Sequence, residues 1–267
     1  MPLKDDDLPA RKEGMAGLAK GLAIIELFAD GRESLTVADA ATGTGLSRAA
    51  ARRCLLTLAE CGYLAFDGKF FHPLPRLLRL GFAYLNGDPL PRVAQPILES
   101  IRDRTGESIS LAVLDGDDVL FIARAIATHL MVTGVAVGGR RPAHAMATGR
   151  VLLGGYSAKQ LDAYFSRAHI AANTPKTIVD PTRIKAAITQ SRLNGYAIND
   201  EELELGFRAI AVPVTDIQGR LVAALSVGFS SARSDNQSMI EEYLPLLKDG
   251  ARTLGQVLPR DILATLL

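Results

Sequence analysis

From Leu35 to Phe71 the apolar positions form two short helical stripes and then a pair of strands. Thr36 stands before Val37, Ala40 and Ala41, with Asp39 three residues on, which is the spacing of a capping box at a helix start. Gly43 and Gly45 supply backbone angles that other residues avoid and predict the end of that helix. Ser47 predicts the N-cap of a second helix, on which Ala51, Cys54, Leu55 and Leu58 recur at helical spacing as one buried stripe. Arg48, Ala49, Arg52 and Arg53 lie mostly off that stripe, near the N-terminal end. Gly62 ends the helix, Tyr63 to Phe66 begins a strand, Asp67-Gly68 is a two-residue hairpin signal, and Lys69-Phe70-Phe71 starts the return strand. Upstream, Leu18, Leu22 and Ile25 predict the third helix such a unit needs for its core. The sum is a winged helix-turn-helix, a fold whose second helix enters the major groove of DNA by its N-terminal end. Ser47, Arg48, Ala49, Arg52 and Arg53, with Lys69 on the wing, are the predicted DNA-binding residues.

The pattern continues beyond the wing. Leu77, Leu78, Phe82 and Leu85 predict a linker helix over 74–90, broken at Asn86-Gly87-Asp88-Pro89. A further helix is expected from about Pro91 to Arg104, with Val93, Ile97 and Ile101 on one face. Strands follow at Ser108 to Leu114, Val119 to Ala127 and Leu130 to Val137, then a loop over Gly138 to Pro142. Helices are predicted at Ala147 to Gly155, Ala158 to Ser166 and Thr182 to Asn194. Strands at Gly195 to Ile198, Ala209 to Thr215 and Leu221 to Phe229 complete a sheet, and a helix over Ser238 to Leu258 closes the chain, kinked or interrupted at Pro245. Helices flanking a mostly antiparallel sheet make an α+β domain. The expected organisation is a disordered tail over 1–14, the winged helix over 15–73, the linker over 74–90 and a sensor-like domain over 91–260.

Charge sharpens this locally. The 267 residues carry a net charge of only +1. Between Leu46 and Gly81, however, Arg48, Arg52, Arg53, Lys69, Arg76 and Arg79 face only Glu60 and Asp67, a net +4 where phosphates would lie. The two cysteines, Cys54 and Cys61, are too far apart along one helix to bridge and read as buried or half-buried thiols of a reducing, cytoplasmic compartment. No run approaches a membrane span, and Met1 to Gly14 lack the apolar stretch of a secretory signal.

Leu18-Ala19-Lys20-Gly21-Leu22-Ala23-Ile24-Ile25, Gly45 to Arg53, Gly149-Arg150-Val151-Leu152-Leu153 and Asn199 to Val214 together resemble the IclR family of transcriptional regulators, from about Leu18 to Leu258. Leu111 to Asp118 and Glu202 to Val214 are most similar to the branch that controls aromatic-acid catabolism through the β-ketoadipate pathway and responds to such compounds as protocatechuate, 4-hydroxybenzoate or β-ketoadipate. The resemblance implies a GAF-like effector domain after the linker, a small organic acid as ligand, and homodimers that pair into dimers of dimers. A two-fold dimer reads a pseudo-palindromic operator in double-stranded DNA, with half-sites roughly 34 Å or a multiple apart. Carried over by position, the effector-binding residues are Ala147, Thr148, Gly149, Asn199, Ala209, Ser226 and Gly228. The helix start at Ala147 to Gly149 offers backbone N–H groups to a carboxylate. Arg140 is added as a bidentate partner for an acid head group, against its alternative as a solvated loop residue. Ser226 reads either as a ligand contact or as a core hydroxyl bonded to backbone. Ala209 and Gly228 stand where relatives often carry polar side chains, which implies a less polar pocket.

Other chemistry finds little support. Asp200, Glu201 and Glu202 are consecutive and alternate faces on an extended segment, so a cap or ion pairs are expected rather than an acid–base pair. His72, His129, His144 and His169 are scattered without ligand spacing, so neither a metal nor a cofactor is expected. No Gly-x-Ser-x-Gly or phosphate-loop pattern is present. The alternatives to a ligand-responsive regulator are an enzyme with an appended DNA-binding domain, and a winged-helix module that binds a protein.

Overall fold

The computed structural model describes residues 14–29, 31–127, 136–233 and 236–258, so the tail expected over 1–14 lies almost wholly outside the described residues. The chain divides into two units, Met1–Asn86 and Gly87–Leu267.

In the first unit α1 (Ala16–Glu26), α2 (Val37–Thr44) and α3 (Arg48–Glu60) precede a hairpin of β1 (Leu64–Phe66) and β2 (Phe71–Pro73). A turn of 3-10 helix at Pro75–Leu77 leads into α4 (Leu78–Gly87). Thr36 caps α2 with a complete capping box: its hydroxyl accepts from the Asp39 N–H at 3.2 Å, and the Asp39 carboxylate accepts from the Thr36 N–H at 2.8 Å. Gly45 ends α2 at φ 72°, the left-handed region that costs glycine nothing. Ser47 starts α3 by accepting from the Ala50 N–H at 3.3 Å. Ile24, Leu35, Ala40, Ala51, Leu55, Leu64 and Phe71 form the core. The backbone of Leu35 also exchanges two hydrogen bonds with Phe71, which ties the start of α2 to the wing.

Three expectations for this unit are corrected. α1 forms, but Leu18 and Leu22 are 62% and 45% exposed, and Ile24 is its core residue. The 3.6-residue period allowed either face, and contact with α3 selected the one holding Ile24. The wing turn spans four residues, because Phe66 pairs with Phe71. The Asp67 carboxylate accepts from the N–H groups of Lys69 at 2.9 Å and Phe70 at 2.7 Å, so the side chain closes the turn and leaves Lys69 and Phe70 out of the return strand. Cys54 is half-buried as expected, but Cys61 caps the C-terminus of α3 and is exposed.

The second unit is a six-stranded sheet with helices on both faces. α5 (Pro89–Thr105) leads into β3 (Ser108–Asp115) and β4 (Asp118–Ala125); β5 (Arg140–Pro142), α6 (Ala147–Leu153), α7 (Ala158–Arg167), α8 (Pro181–Asn194), β6 (Ala197–Asp200), β7 (Phe207–Thr215), β8 (Leu221–Ser230) and α9 (Asn236–Val257) follow. Strand order is β5-β4-β3-β8-β7-β6, with every pair antiparallel. α5 and α9 pack together on one face. α6 packs on the other, where Ala112, Phe121, Ala209, Ala211 and Ala224 join Tyr164 of α7 and Ile184 and Ile188 of α8 in one core. α9 runs unbroken through Pro245, which lies on its exposed side and does not end the helix. Arg140 to Pro142, expected as a loop, pairs with Asp118 to Leu120 as an edge strand. The strand expected over Leu130 to Val137 falls largely outside the described residues. No helix among the described residues is long and apolar enough to cross a membrane.

Candidate functional site

Among the described residues, two places bring together residues expected to bind ligands. The first is the start of α3. Ser47, Arg48, Ala49, Arg52 and Arg53 are all exposed there, while Ala51 and Leu55 on the opposite stripe are fully buried. Arg48, Arg52 and Arg53 form no ion pair among the described residues. On the wing, Lys69 is exposed and its Nζ lies 4.8 Å from the centre of the Phe70 ring. Arg76, counted among the basic residues of this segment, is used within the fold: its Nη1 donates to the Cys61 carbonyl at the C-terminus of α3.

The second is a cavity on the α6 face of the sheet. Side chains two residues apart on a strand share a face. Ser108 and Ser110 of β3, Ser226 and Gly228 of β8, and Phe207 and Ala209 of β7 obey that rule and line the cavity together. β4 departs from it. Its pairing with β3 shifts between Leu111 and Ala112, so Ser110 opposes Arg124 while Ala112 opposes Phe121. This bulge brings Phe121 and Arg124, three residues apart, onto the same cavity wall. Burial holds the Arg124 guanidinium below its ordinary value, yet an arginine keeps its charge at neutral pH. Glu107 also lines the cavity, and its Oε1 is paired with Arg233 at 2.7 Å.

α6 forms the roof with Ala147 and Thr148, and Met146 precedes it. The Thr148 hydroxyl is buried and has no hydrogen-bond partner among the described residues. An unmade hydrogen bond of this kind costs about 1–3 kcal/mol. The roof is anchored from behind. Arg150 donates to Glu202 at 2.6 Å and to the Ile198 carbonyl at 3.0 Å, with both side chains of the ion pair almost wholly buried. Glu202 further accepts from the Ile178 N–H at 3.1 Å. Asn199, fully buried, donates to the Ala145 carbonyl. Gly149 allows α6 to lie against the preceding turn, since a Cβ there would collide with the Ala143 carbonyl oxygen. His144 sits in the same framework, with burial lowering its pKa and Nε2 3.1 Å from the Ala171 carbonyl.

Sequence models for two domains match this chain: the IclR helix-turn-helix domain over residues 17–68 and the C-terminal domain of the bacterial transcriptional regulator IclR over residues 82–256. The chain belongs to the IclR family of bacterial transcriptional regulators. The Pca regulon regulatory protein of Pseudomonas putida is 41% identical over 241 residues, covering 90% of this chain and 83% of that one. The p-hydroxybenzoate hydroxylase transcriptional activator of Acinetobacter baylyi is 39% identical over 245 residues, covering 90% of each. Among solved structures, a double mutant of the Acinetobacter PobR inducer-binding domain in complex with 3-hydroxybenzoic acid superposes with a TM-score of 0.60 at 34% identity, covering 63% of this chain and 98% of that one.

Within this IclR-family chain the structure sorts the residues expected for the effector. Ala147, Thr148, Ala209, Ser226 and Gly228 meet around the cavity. Gly149 and Asn199 stand behind it, holding the roof. Ser226 lines the cavity and also donates to the Ser110 carbonyl at 3.4 Å, the backbone bond expected of a core hydroxyl. Arg140 is not among the lining residues. It sits on edge strand β5, donates to the Asp115 carbonyl at 3.0 Å, and lies within 3.4 Å of the Asp115 carboxylate and 3.3 Å of Asp118. Those two acids flank the β3–β4 turn and hold the guanidinium outside the pocket. The cation at the cavity is Arg124, which sequence reasoning missed along with Glu107, Ser108, Ser110, Phe121 and Phe207. Strict alternation puts Arg124 on the face opposite Phe121, and only the bulge reverses this. The acidic run disperses as expected: Asp200 pairs with Arg208 at 2.6 Å, Glu201 with Lys176 at 2.6 Å, and Glu202 with Arg150. The hydrogen bonds from Arg208 and Lys176 hold the Asp200 and Glu201 carboxyls below their ordinary values. Among the described residues no three His, Cys, Asp or Glu side chains gather to hold a metal ion.

Proposed function

We propose that this regulator controls genes of aromatic-acid catabolism, and that a small aromatic acid in the sheet cavity is its effector. The observation that carries the reading is that Arg124 and the partnerless Thr148 hydroxyl share a cavity whose other walls include Phe121, Met146, Leu203 and Phe207 beside Glu107, Ser108, Ser110 and Ser226. A cation and a free hydroxyl suit a carboxylate, and aromatic and aliphatic walls suit its ring. The 3-hydroxybenzoic acid held by the PobR inducer-binding domain supports the same class of ligand, and the name of the p-hydroxybenzoate hydroxylase activator supports the aromatic-catabolic role.

The DNA face is Ser47, Arg48, Ala49, Arg52 and Arg53 with Lys69, on a double-stranded operator. The chain works as a homodimer, or as a dimer of such dimers, reading a pseudo-palindrome. Leu18, Leu22, Leu78 and Phe82, all largely exposed, supply apolar surface for such a partner. The effector biases one conformational state over another, and a strong shift needs several kcal/mol of differential affinity.

A thermal-shift panel of hydroxybenzoates, protocatechuate and aliphatic dicarboxylates tests the reading. An aromatic acid at a hundred times its Kd is expected to raise the melting temperature by about 5–10 °C, and to be recovered unaltered. Stabilisation by aliphatic acids alone, or turnover of the bound acid, would contradict it.

A further inference from the structure

We infer that the Phe207 ring is the wall that sets effector length in this pocket, and that Gly228 is the residue that seats it. The inference rests on the aromatic-acid reading of the same cavity. Phe207 of β7 lies diagonal to Gly228 of β8, since Ala209 pairs with Gly228 and Phe207 with Ser230. A Cβ built on Gly228 would stand 2.7 Å from Phe207 Cζ and 2.9 Å from Cε2. The ring edge therefore occupies the space that any other residue at 228 would fill. The next nearest atom, the Arg208 carbonyl oxygen, is 3.9 Å away, so nothing rigid competes for that space. Gly228 makes a seat, and the ring rests on the strand in it.

The sheet blocks the ring on one side. A methyl group at 228 would push it away from the strand, on the face where both residues line the cavity. The strand order gives this displacement a direction in the ligand. Arg124 is on β4 and Phe207 on β7, with β3 and β8 between them. Arg124 is in register with Ser110, Ser226 and Ala211, four residues along β7 from Phe207, so an acid whose carboxylate meets Arg124 and whose far end meets Phe207 runs diagonally over the strands. The wall thus reads the substituent opposite the carboxylate.

Calorimetric titration of the full-length protein with 4-hydroxybenzoate, 4-methoxybenzoate and 4-ethoxybenzoate tests this. Gly228→Ala is expected to weaken the ethoxy compound about tenfold more than it weakens 4-hydroxybenzoate. Phe207→Leu, which removes the wall and carries the test should the first variant melt early, is expected to strengthen the ethoxy compound about tenfold. Adding Gly228→Ala to Phe207→Leu should then change little, because the clash has lost its partner. If the wild type binds 4-hydroxybenzoate but both variants change the three acids by one common factor, or their effects simply add, the wall assignment fails and the aromatic-acid reading stands. If the wild type binds none of the three, both fail.

Discussion

The two sites of this regulator keep their cations on opposite terms. Arg48, Arg52 and Arg53 stand in solvent at the start of α3 and pair with no acid among the described residues. Arg124 is half-buried in a sheet, where burial alone pulls its pKa down. Exposed charges are cheap to keep and screened within about 8 Å at physiological ionic strength, so several must act together on a long polyanion. A charge held in a low-dielectric wall interacts strongly with one small anion that displaces water from it. The surface of α3 suits DNA, and the cavity suits a single acid.

The most severe way to break this contrast is to remove the support of the cavity and leave α3 untouched. Arg150→Met strands Glu202 as a buried, unpaired carboxylate, and should cost the second unit about 3–5 kcal/mol in denaturant unfolding. The contrast is sharpened at the DNA side by Arg52→Ala. Operator affinity should fall by about 1–3 kcal/mol in mobility-shift titration while effector binding is unchanged. A salt slope reduced by about one would mark a phosphate contact, and a loss confined to particular operator sequences would mark a base contact. Unchanged affinity and sequence preference would remove Arg52 from the interface.

Thr148→Val is smaller and has two opposed signs. Without ligand the variant should be more stable by about 1 kcal/mol, because a buried hydroxyl lacking a partner is gone. With ligand it should bind the acid more weakly. Equal changes in both states would make the hydroxyl a bystander. The smallest effect belongs to the wing. The Phe70 N–H, the His72 side chain and the Lys69 N–H hold the Asp67 carboxyl down at about 2. A depressed carboxylate contributes stability above its ordinary value of 3.8 and loses it as pH falls through about 2. An NMR titration of Asp67 should therefore place the loss of the wing turn near that pH, and a midpoint near 4 would contradict the hydrogen bonds.

The same contrast separates what is legible in the amino-acid sequence from what is not. The capping box at Thr36, the end of α2 at Gly45 and the Ser47 cap are written within a few residues, and each matches its local prediction. α1 shows the limit of local reading, because periodicity found the helix while tertiary contact chose Ile24 over Leu18 and Leu22. The cavity depends on register between strands remote in sequence. Ser110 and Ser226 meet across more than a hundred residues, and the position of Arg124 turns on a one-residue slip that no alternation predicts. Loop chemistry points to Arg140 as the arginine for an acid, but two carboxylates at the β3–β4 turn claim it.

The choice between those two arginines is the most direct test of the account. Calorimetric titration of 4-hydroxybenzoate into Arg124→Met and Arg140→Met, beside the wild type, separates them. We expect Arg124→Met to lose roughly ten- to a hundredfold in affinity, the share of a charge-assisted hydrogen bond, and Arg140→Met to bind as the wild type does. Full binding by Arg124→Met, with the loss falling on Arg140→Met instead, would contradict it.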